Sequence, residues 1–271
     1  MPLRLAPALA GALTGAAVLT QVAHPLLRGR ALHRTTIGSV AAFSAAAVTD
    51  AARRGGLRAG LATLAVAGGL GLAAEVVGTR TGRPFGHYRY ARSLGPQVLG
   101  VPVVVPLAWT MLAQPALQLG RRLARDLERP ARDVVAVGTA AWTLASWDLF
   151  LDPQMTAEGH WAFEQPHPHL PGVPGIPLGN YAGWLLTATL ICAALHAAVP
   201  AEEVPPTAPA EAAPAEVVPA TVPAALLGWT WAGSTLANAV FFRRPHVAAY
   251  GGAAMGLTVL PYLRSVRRDA R

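Results

Sequence analysis

The chain has 271 residues, of which 53% are hydrophobic and only 13% are charged, and its formal net charge is +8. A soluble domain carries about 25% charged residues, so half that share, arranged in long uncharged runs, is typical of a polytopic membrane protein. Every basic residue is an Arg, and most lie between the apolar runs, which indicates membrane loops rather than a nucleic-acid-binding face. The single cysteine, Cys192, excludes an internal disulfide.

Apolar runs recur along the chain at close to the ~20 residues that a membrane-spanning helix needs. They predict an all-α polytopic transmembrane helix bundle of about eight helices (seven to eight), with the second and last runs short. We interpret the first run as a span rather than a signal peptide, because no clear cleavage site precedes a soluble domain. Glycines in the first three runs are interpreted as helix-packing positions. The runs lie near residues 5–23, 36–49, 57–79, 96–118, 133–151, 181–199, 222–242 and 247–263.

The predicted organisation has three parts. Residues 1–199 hold helices 1 to 6 with the motif-bearing loops, and residues 222–271 hold helices 7 and 8 with a basic tail. Between them, residues 200–221 form a linker rich in Pro, Ala and Glu. This composition cannot build an apolar core, so we expect the linker to be disordered.

Two aspartates are the strongest candidates for catalysis. Asp148 and Asp152 are four residues apart, which places them on one face of a helix. Two carboxylates that close cannot both carry charge cheaply in an apolar site, so we expect one to hold a proton and serve as a general acid. Pro153 disfavours a helical conformation at Asp152. The alternative interpretation is a pair of helix-end aspartates that faces water.

Helix parity predicts which other residues join the aspartates. If helix three ends at Glu75 and helix five ends at Asp148, both chains emerge at the same membrane face. Glu75, His87 and His160 would then converge with the two aspartates on one pocket mouth. Glu75 could equally lie among headgroups or face the bundle interior.

Basic and aromatic residues around these carboxyls are predicted to support the site. The basic residues either contact headgroups or orient the carboxylates through charge-assisted bonds. Tryptophan rings near helix ends serve as interface anchors, and wide aromatic faces also suit a long polyene ligand. The supporting or substrate-binding candidates are Arg83, His87, Tyr88, Arg89, Trp147, Glu158, His160, Trp161 and Asn180.

Several other chemistries lack support in the sequence. His160, His167 and His169 do not have the compact spacing of a metal-binding helix, so no metal is predicted. The chain has no GxGxxG after a strand, no GxxxxGK[ST], no GxSxG and no CxxC, which leaves nucleotide binding, serine hydrolysis and thiol redox chemistry unsupported. The five-proline run PHPHLPGVPGIPLGN, residues 166–180, predicts a helix-free loop over the bundle that could act as a lid.

Four strings in this chain resemble the integral-membrane carotenoid biosynthesis proteins, a family that includes carotenoid 1,2-hydratases and bisanhydrobacterioruberin hydratases. The resemblance covers roughly residues 10–260 without the linker, and the strings are long and unusual. They are GRPFGHYRYARSLGPQVLGVPVVVPLAW, SWDLFLDPQM, EGHW and LPGVPGIPLGNYAGW.

The resemblance implies cofactor-free addition of water to the terminal double bond of an acyclic carotenoid end group, in lycopene, a monocyclic carotene or the C50 bisanhydrobacterioruberin. The roles are our own assignment: Asp148 or Asp152 as proton donor, the other as its partner or the base, and Glu75 as a supporting carboxylate. The resemblance also implies a carotenoid substrate within the bilayer, contact with membrane lipids and other pathway enzymes, no nucleic-acid partner, and location in a prokaryotic cytoplasmic membrane as a multi-pass protein.

Two alternatives stay open at the level of sequence. One is a UbiA-like prenyltransferase, in which aspartates bind a diphosphate through magnesium, although only one Asp-rich motif is present. The other is a non-catalytic carotenoid-binding or transport protein, since broken helices are common in transporters. Magnesium dependence distinguishes the first alternative, and a product heavier by one water distinguishes the second.

Overall fold

The computed structural model describes residues 5–199 and 220–269, and it confirms an all-α membrane helix bundle. The predicted linker, residues 200–221, lies outside the described residues except for its last two. A π-helical turn, Leu64–Gly68, joins α2 to α3, and a second, Ala237–Phe241, extends α7. The helices are α1 Leu5–Ala23, α2 Gly29–Thr63, α3 Gly69–Thr81, α4 Val104–Leu123, α5 Ala131–Ala157, α6 Leu178–Ala198, α7 Thr221–Leu236 and α8 Pro245–Asp269.

Helix α2 reverses direction at Gly55 and Gly56, which have non-helical backbone angles. A Cβ atom on Gly60 would lie 3.1 Å from the carbonyl oxygen of Val48 and 3.0 Å from Cβ of Ala52. In a straight helix, residues 48 and 60 would be about 18 Å apart at 1.5 Å per residue. The two arms therefore pack side by side as a hairpin. Because the second arm continues through the π-helical turn into α3, these count as one segment, and the described residues hold eight helical segments.

Four helical stretches in the described part of the chain are long and apolar enough to cross a membrane. They are Pro7–Leu26, Gly29–Thr81, Ala131–Ala157 and Leu178–Ala198. The second has 53 residues and contains the hairpin, so it is long enough for two crossings of about 20 residues each. Helix α4 lies centrally in the bundle and packs against α2, α5 and α7.

Helix α4 begins at Val104, eight residues later than the start of the apolar run that predicts it. The first part of that run forms a hairpin of β2, Gln97–Val98, and β3, Val101–Pro102. Leu99 and Gly100 both have positive φ, as tight two-residue hairpin turns require. The prediction was wrong here because hydropathy alone does not distinguish a short strand from a helix.

Two predicted helix ends are also wrong, and the correction matters for the site. Helix α3 continues six residues beyond Glu75 to Thr81, where Gly82 ends it in a left-handed conformation. Helix α5 continues through Pro153 to Ala157. A proline inside a helix lacks the N–H for one hydrogen bond, but packing against α4, α6 and α8 keeps α5 helical. Asp148 and Asp152 therefore lie within a helix and not at its end.

A short β-ribbon connects the segments that follow α3 and α5. Strand β1, Tyr88–Tyr90, pairs antiparallel with β4, Trp161–Phe163. Alternate residues of a strand share a face, so Tyr88 and Tyr90 project together, as do the two aromatic rings of β4. This pairing confirms that the two segments emerge at the same end of the bundle.

The proline-rich segment before α6 is free of helix up to Pro177, as predicted. It packs against the start of α8, where the Tyr250 hydroxyl donates to the carbonyl of Pro171 at 3.2 Å and His246 lies against Gly172. No residue between 164 and 179 lines the cavity described below. The prediction of a lid is therefore not supported, and the β1–β4 ribbon forms the wall at this end.

Candidate active site

A cavity lies among the helices beneath the ribbon. Its wall is mostly aromatic and aliphatic, and two groups of polar side chains lie on this wall or directly behind it. The carboxyl cluster is Glu75, Asp148, Asp152 and Asn180. The histidine cluster is His24, Thr36, Gln154, Glu158 and His160.

Glu75 is buried in α3 and accepts three hydrogen bonds. The hydroxyls of Tyr88 and Tyr90 donate to Oε2, the second at 2.7 Å, and the indole Nε1 of Trp109 donates to Oε1 at 3.0 Å. An ionised carboxylate only accepts hydrogen bonds, so three converging donors fit its charged form. Three neutral donors thus converge on the Glu75 carboxyl from a strand and a neighbouring helix.

Glycines in α3 make room for these donors. A Cβ on Gly71 would lie 2.6 Å from the indole of Trp109, and one on Gly78 would lie 3.0 Å from the hydroxyl of Tyr88. Both positions flank Glu75 on the same face of the helix. The glycines of α3 are predicted from the sequence to serve helix packing. At Gly71 and Gly78, the missing side chain lets Trp109 and Tyr88 approach the Glu75 carboxylate.

The two tyrosines of β1 remain neutral donors. Burial, with the adjacent Glu75 carboxylate, raises the pKa of Tyr88 and of Tyr90 well above the ordinary value. Their hydroxyls therefore keep their protons at physiological pH and continue to donate to Glu75.

Asp148 and Asp152 are joined by one side-chain amide. Nδ2 of Asn180, at the start of α6, donates to Oδ2 of Asp148 at 2.7 Å and to Oδ2 of Asp152 at 2.5 Å. Nε1 of Trp161 donates to Oδ1 of Asp152 at 3.0 Å. Oδ1 of Asp148 is buried and has no hydrogen-bond partner, so a full charge on Asp148 would be costly. A shared proton on the pair removes that cost.

Only one of the two aspartates faces the cavity. Asp152 and Asn180 line it, whereas Asp148 is fully buried one helical turn earlier and does not. The interpretation as helix-end aspartates facing water is therefore wrong. Asp152 is placed to meet a ligand, and Asp148 to act on Asp152 through Asn180.

Aromatic rings form the cavity wall beside the carboxyls. Trp184 stacks on Trp109 with ring centroids 4.0 Å apart, and Trp147 meets Trp184 edge-on at 5.9 Å. Tyr90 meets Trp161 edge-on at 5.6 Å. Such rings offer large apolar faces with negative quadrupoles, which suit an extended polyene and a transient cation.

The histidine cluster lies at a second place on the wall. Nε2 of His24 is 3.1 Å from the hydroxyl of Thr36, and its Nδ1 is 3.3 Å from Nε2 of Gln154. Gln154 also donates to Glu158 at 2.9 Å, and Nε2 of His160 lies 3.2 Å from the same carboxylate. His24, Thr36 and Gln154 line the cavity, while Glu158 and His160 stand behind them.

The residues that the sequence analysis names fall into three groups. Asp148, Glu158 and His160 lie directly behind the wall, and His160 forms no part of the carboxyl cluster. Arg83, His87 and Arg89 are exposed and do not line the cavity, with Arg89 paired to Glu164 at the surface. Because these three residues do not line the cavity, its geometry does not support their prediction as substrate contacts. The six that line the cavity are Glu75, Tyr88, Trp147, Asp152, Trp161 and Asn180.

Sequence reasoning missed five residues at this site: Tyr90, Trp109, Trp184, His24 and Gln154. The alternation of Tyr88 and Tyr90 in HYRY was a usable strand signal for the first. The others carry no local signal, because the cavity that they share is formed by residues far apart in the sequence. Across residues 5–199 and 220–269, no group of three His, Cys, Asp or Glu side chains is arranged to hold a metal ion.

Comparisons with known proteins give one family match and one similar relative. A family model described as carotenoid biosynthesis protein matches residues 34–257, which include the whole carboxyl cluster. The chain is also similar to a bisanhydrobacterioruberin hydratase from Haloarcula japonica, with 38% identity over 117 residues. That stretch spans 43% of this chain and 38% of the relative's own length. No solved structure matches the chain.

Proposed function

The chain belongs to the carotenoid biosynthesis protein family, and from that premise we propose that it is a carotenoid hydratase of a prokaryotic cytoplasmic membrane. It adds water to the terminal double bond of an acyclic carotenoid end group, in lycopene, a monocyclic carotene or bisanhydrobacterioruberin, and forms a tertiary alcohol. The substrate reaches the cavity from the bilayer. The chemistry of this chain's own residues needs no cofactor.

The observation that carries the proposal is the pairing of Asp152 with Asp148 through Asn180 on an aromatic wall. A trisubstituted alkene is a weak base, so its protonation requires an acid kept from bulk water. A carboxyl that shares a proton with a buried neighbour and faces an apolar cavity meets that requirement.

The reaction is proposed in two steps. Asp152 donates its proton to the less substituted alkene carbon, where the π electrons form the new C–H bond and leave a tertiary cation on the adjacent carbon. The oxygen of a water molecule then bonds to that cation, and one water proton returns to the Asp148–Asp152 pair. The acid is regenerated and no net proton is gained or lost.

Glu75 and the aromatic rings stabilise the cation between these steps. The Glu75 carboxylate, held by Tyr88, Tyr90 and Trp109, supplies a fixed negative charge on the same cavity. Preorganised charge of this kind acts strongly in a site that excludes water. The indole faces of Trp147 and Trp184 add cation–π attraction.

The direct test is conversion of lycopene by membranes that contain the protein, with no cofactor added and a chelator present. We expect a product heavier by one water, absent from matched membranes that lack the protein. Bisanhydrobacterioruberin and a monocyclic carotene serve as parallel substrates. Unchanged pigment that co-purifies with the protein would indicate a binding or transport role, and a requirement for magnesium and a prenyl diphosphate would indicate a prenyltransferase.

The hydrogen-bond donors at the carboxyls favour the hydratase over the prenyltransferase. Both oxygens of Glu75 and both oxygens of Asp152 accept hydrogen bonds from hydroxyl, indole or amide groups. Oxygens that bind magnesium must be free to face the cation. At Glu75 and Asp152 these donors compete with a cation for the carboxylate lone pairs.

A further inference from the structure

The histidine cluster has a hydrogen-bond pattern that fixes the orientation of Gln154. The Thr36 hydroxyl donates to the carbonyl of Leu32 at 3.0 Å, so towards His24 it acts as acceptor and Nε2 of His24 carries the hydrogen. Nδ1 of His24 then accepts from Nε2 of Gln154. The second amide hydrogen of Gln154 goes to the Glu158 carboxylate, which can only accept.

This arrangement leaves the amide oxygen of Gln154 available. Both of its N–H groups are used, while within residues 5–199 and 220–269 its Oε1 accepts no hydrogen bond and is not enclosed by protein. Gln154 lines the cavity, two residues after Asp152 on α5. An oriented acceptor therefore belongs to a side chain that lines the same cavity as the proposed acid.

A hydrogen bond links Gln154 to a partly exposed carboxylate, Glu158. The side chain of Glu158 is 15% exposed. Burial alone would raise the pKa of Glu158, but hydrogen bonds from His160 and Gln154 and the nearby His24 bring it below its ordinary value. Glu158 is thus a partly exposed carboxylate that accepts a hydrogen bond from Gln154.

We propose that Gln154 binds the water molecule that the hydration consumes, that His24 positions Gln154, and that water reaches this site past Glu158. The inference rests on the proposed function. A water that donates one hydrogen to Oε1 of Gln154 keeps an oxygen lone pair free to bond to the cation. An apolar cavity does not hold such a water without a polar partner.

The chemistry predicts a specific failure when this water is lost. The cation still forms, because Asp152 is intact, but no nucleophile bonds to it. A proton then passes from a neighbouring carbon back to the deprotonated Asp148–Asp152 pair, and the electrons of that C–H bond form an alkene again. In D₂O the acid delivers deuterium, so the recovered, unhydrated carotenoid carries deuterium. Deuterium uptake therefore reports the protonation step, and alcohol formation reports the bonding of water to the cation.

The experiment compares Gln154→Met with Gln114→Met in membranes suspended in D₂O, by mass spectrometry of the alcohol and of the recovered substrate. Gln114 is buried on helix α4 and does not line the cavity, and within residues 5–199 and 220–269 its side-chain amide has no hydrogen-bond partner. For Gln154→Met we expect hydration to fall about tenfold or more, as for the loss of a well-placed hydrogen bond, while deuterium uptake persists. Gln114→Met should match the unaltered protein in both.

Two results would overturn the inference: normal hydration by Gln154→Met, or parallel loss of hydration and exchange, which a merely structural role would give. If Gln154→Met does not accumulate in membranes, His24→Phe provides the same comparison, because it removes the acceptor that orients the amide; again exchange must persist while hydration falls. Absence of both hydration and exchange in the unaltered protein would instead reject the proposed function.

Discussion

Buried carboxylates occur at both ends of the helix bundle, but they have different partners. At the end where α2 reverses, Asp50 is 1% exposed and pairs with Arg54 at 2.7 Å and Arg53 at 3.5 Å. At the opposite end, Asp148 and Asp152 are as deeply buried, but their hydrogen bonds come from Asn180 and Trp161. Within the described residues, no Arg side chain forms an ion pair with the carboxyl cluster.

The difference separates a structural charge from a proton that can be transferred. A guanidinium beside a buried carboxylate stabilises its ionised form, so the ion pairs of Asp50 with Arg53 and Arg54 act as local structural charges next to the reversal of α2. A neutral amide or indole donates a hydrogen bond without cancelling the charge. The Asp148–Asp152 pair therefore keeps access to a protonated form, which acid catalysis requires.

The largest effect should come from Asp152→Asn, which retains the shape and removes the acid that faces the cavity. General acid catalysis contributes about 10²–10⁴-fold, so we expect hydration to fall by that range with normal membrane accumulation. The measurement is the initial rate of alcohol formation in isolated membranes. Near-normal rates in this variant would place the proton donor at another residue.

Asp148→Asn tests whether the second aspartate acts through the first. Asp148 does not line the cavity, so its loss should reduce the rate less than Asp152→Asn, by about 10–100-fold if the pair's hydrogen-bond coupling is worth 1.5–3 kcal/mol. The rates of both variants should be compared in the same membranes at equal protein. A greater loss for Asp148→Asn than for Asp152→Asn would reverse the assigned roles.

Asp50→Asn probes the structural end of the bundle. Removing one partner of a buried ion pair costs about 3–5 kcal/mol, because the arginines lose the charge that compensates them. We expect a lower thermal denaturation temperature in detergent, with unchanged activity per folded molecule. If instead activity fell while thermal stability was retained, the separation between the two ends would not hold.

The smallest effect is expected in the segment that joins α6 to α7. Replacing residues 200–219 by a shorter flexible Gly/Ser link that still bridges the helices should leave the hydration rate unchanged, because this segment has no periodic apolar face and no motif. Immunoblots of the membranes provide the control for insertion. Loss of activity at normal protein levels would assign the segment a function.

The sequence predicted the shared pocket of Glu75 and Asp152 from helix parity, but for reasons that were only partly correct. Both helices run beyond the predicted ends, so the carboxyls lie inside the bundle and not at its boundary. The parity argument survived because extending a helix by a turn does not change the face at which it emerges. The burial of the carboxyls was not predictable, since a polar residue ends an apolar run whether it faces lipid headgroups or a protein interior.

The sequence by itself determined the membrane class, the succession of helices and the strings that assign the family, because apolar length and local motifs are properties of contiguous residues. Only the tertiary structure decided which groups meet at the carboxyls. Tyr88 and Trp109 reach Glu75 from a strand and a different helix, and Asn180 joins Asp148 to Asp152 from a third helix. Such contacts depend on the close approach of helices at Gly71 and on the pairing of β1 with β4. Both bring together residues that are far apart in the sequence, and the hydropathy of a single segment does not specify which segments meet.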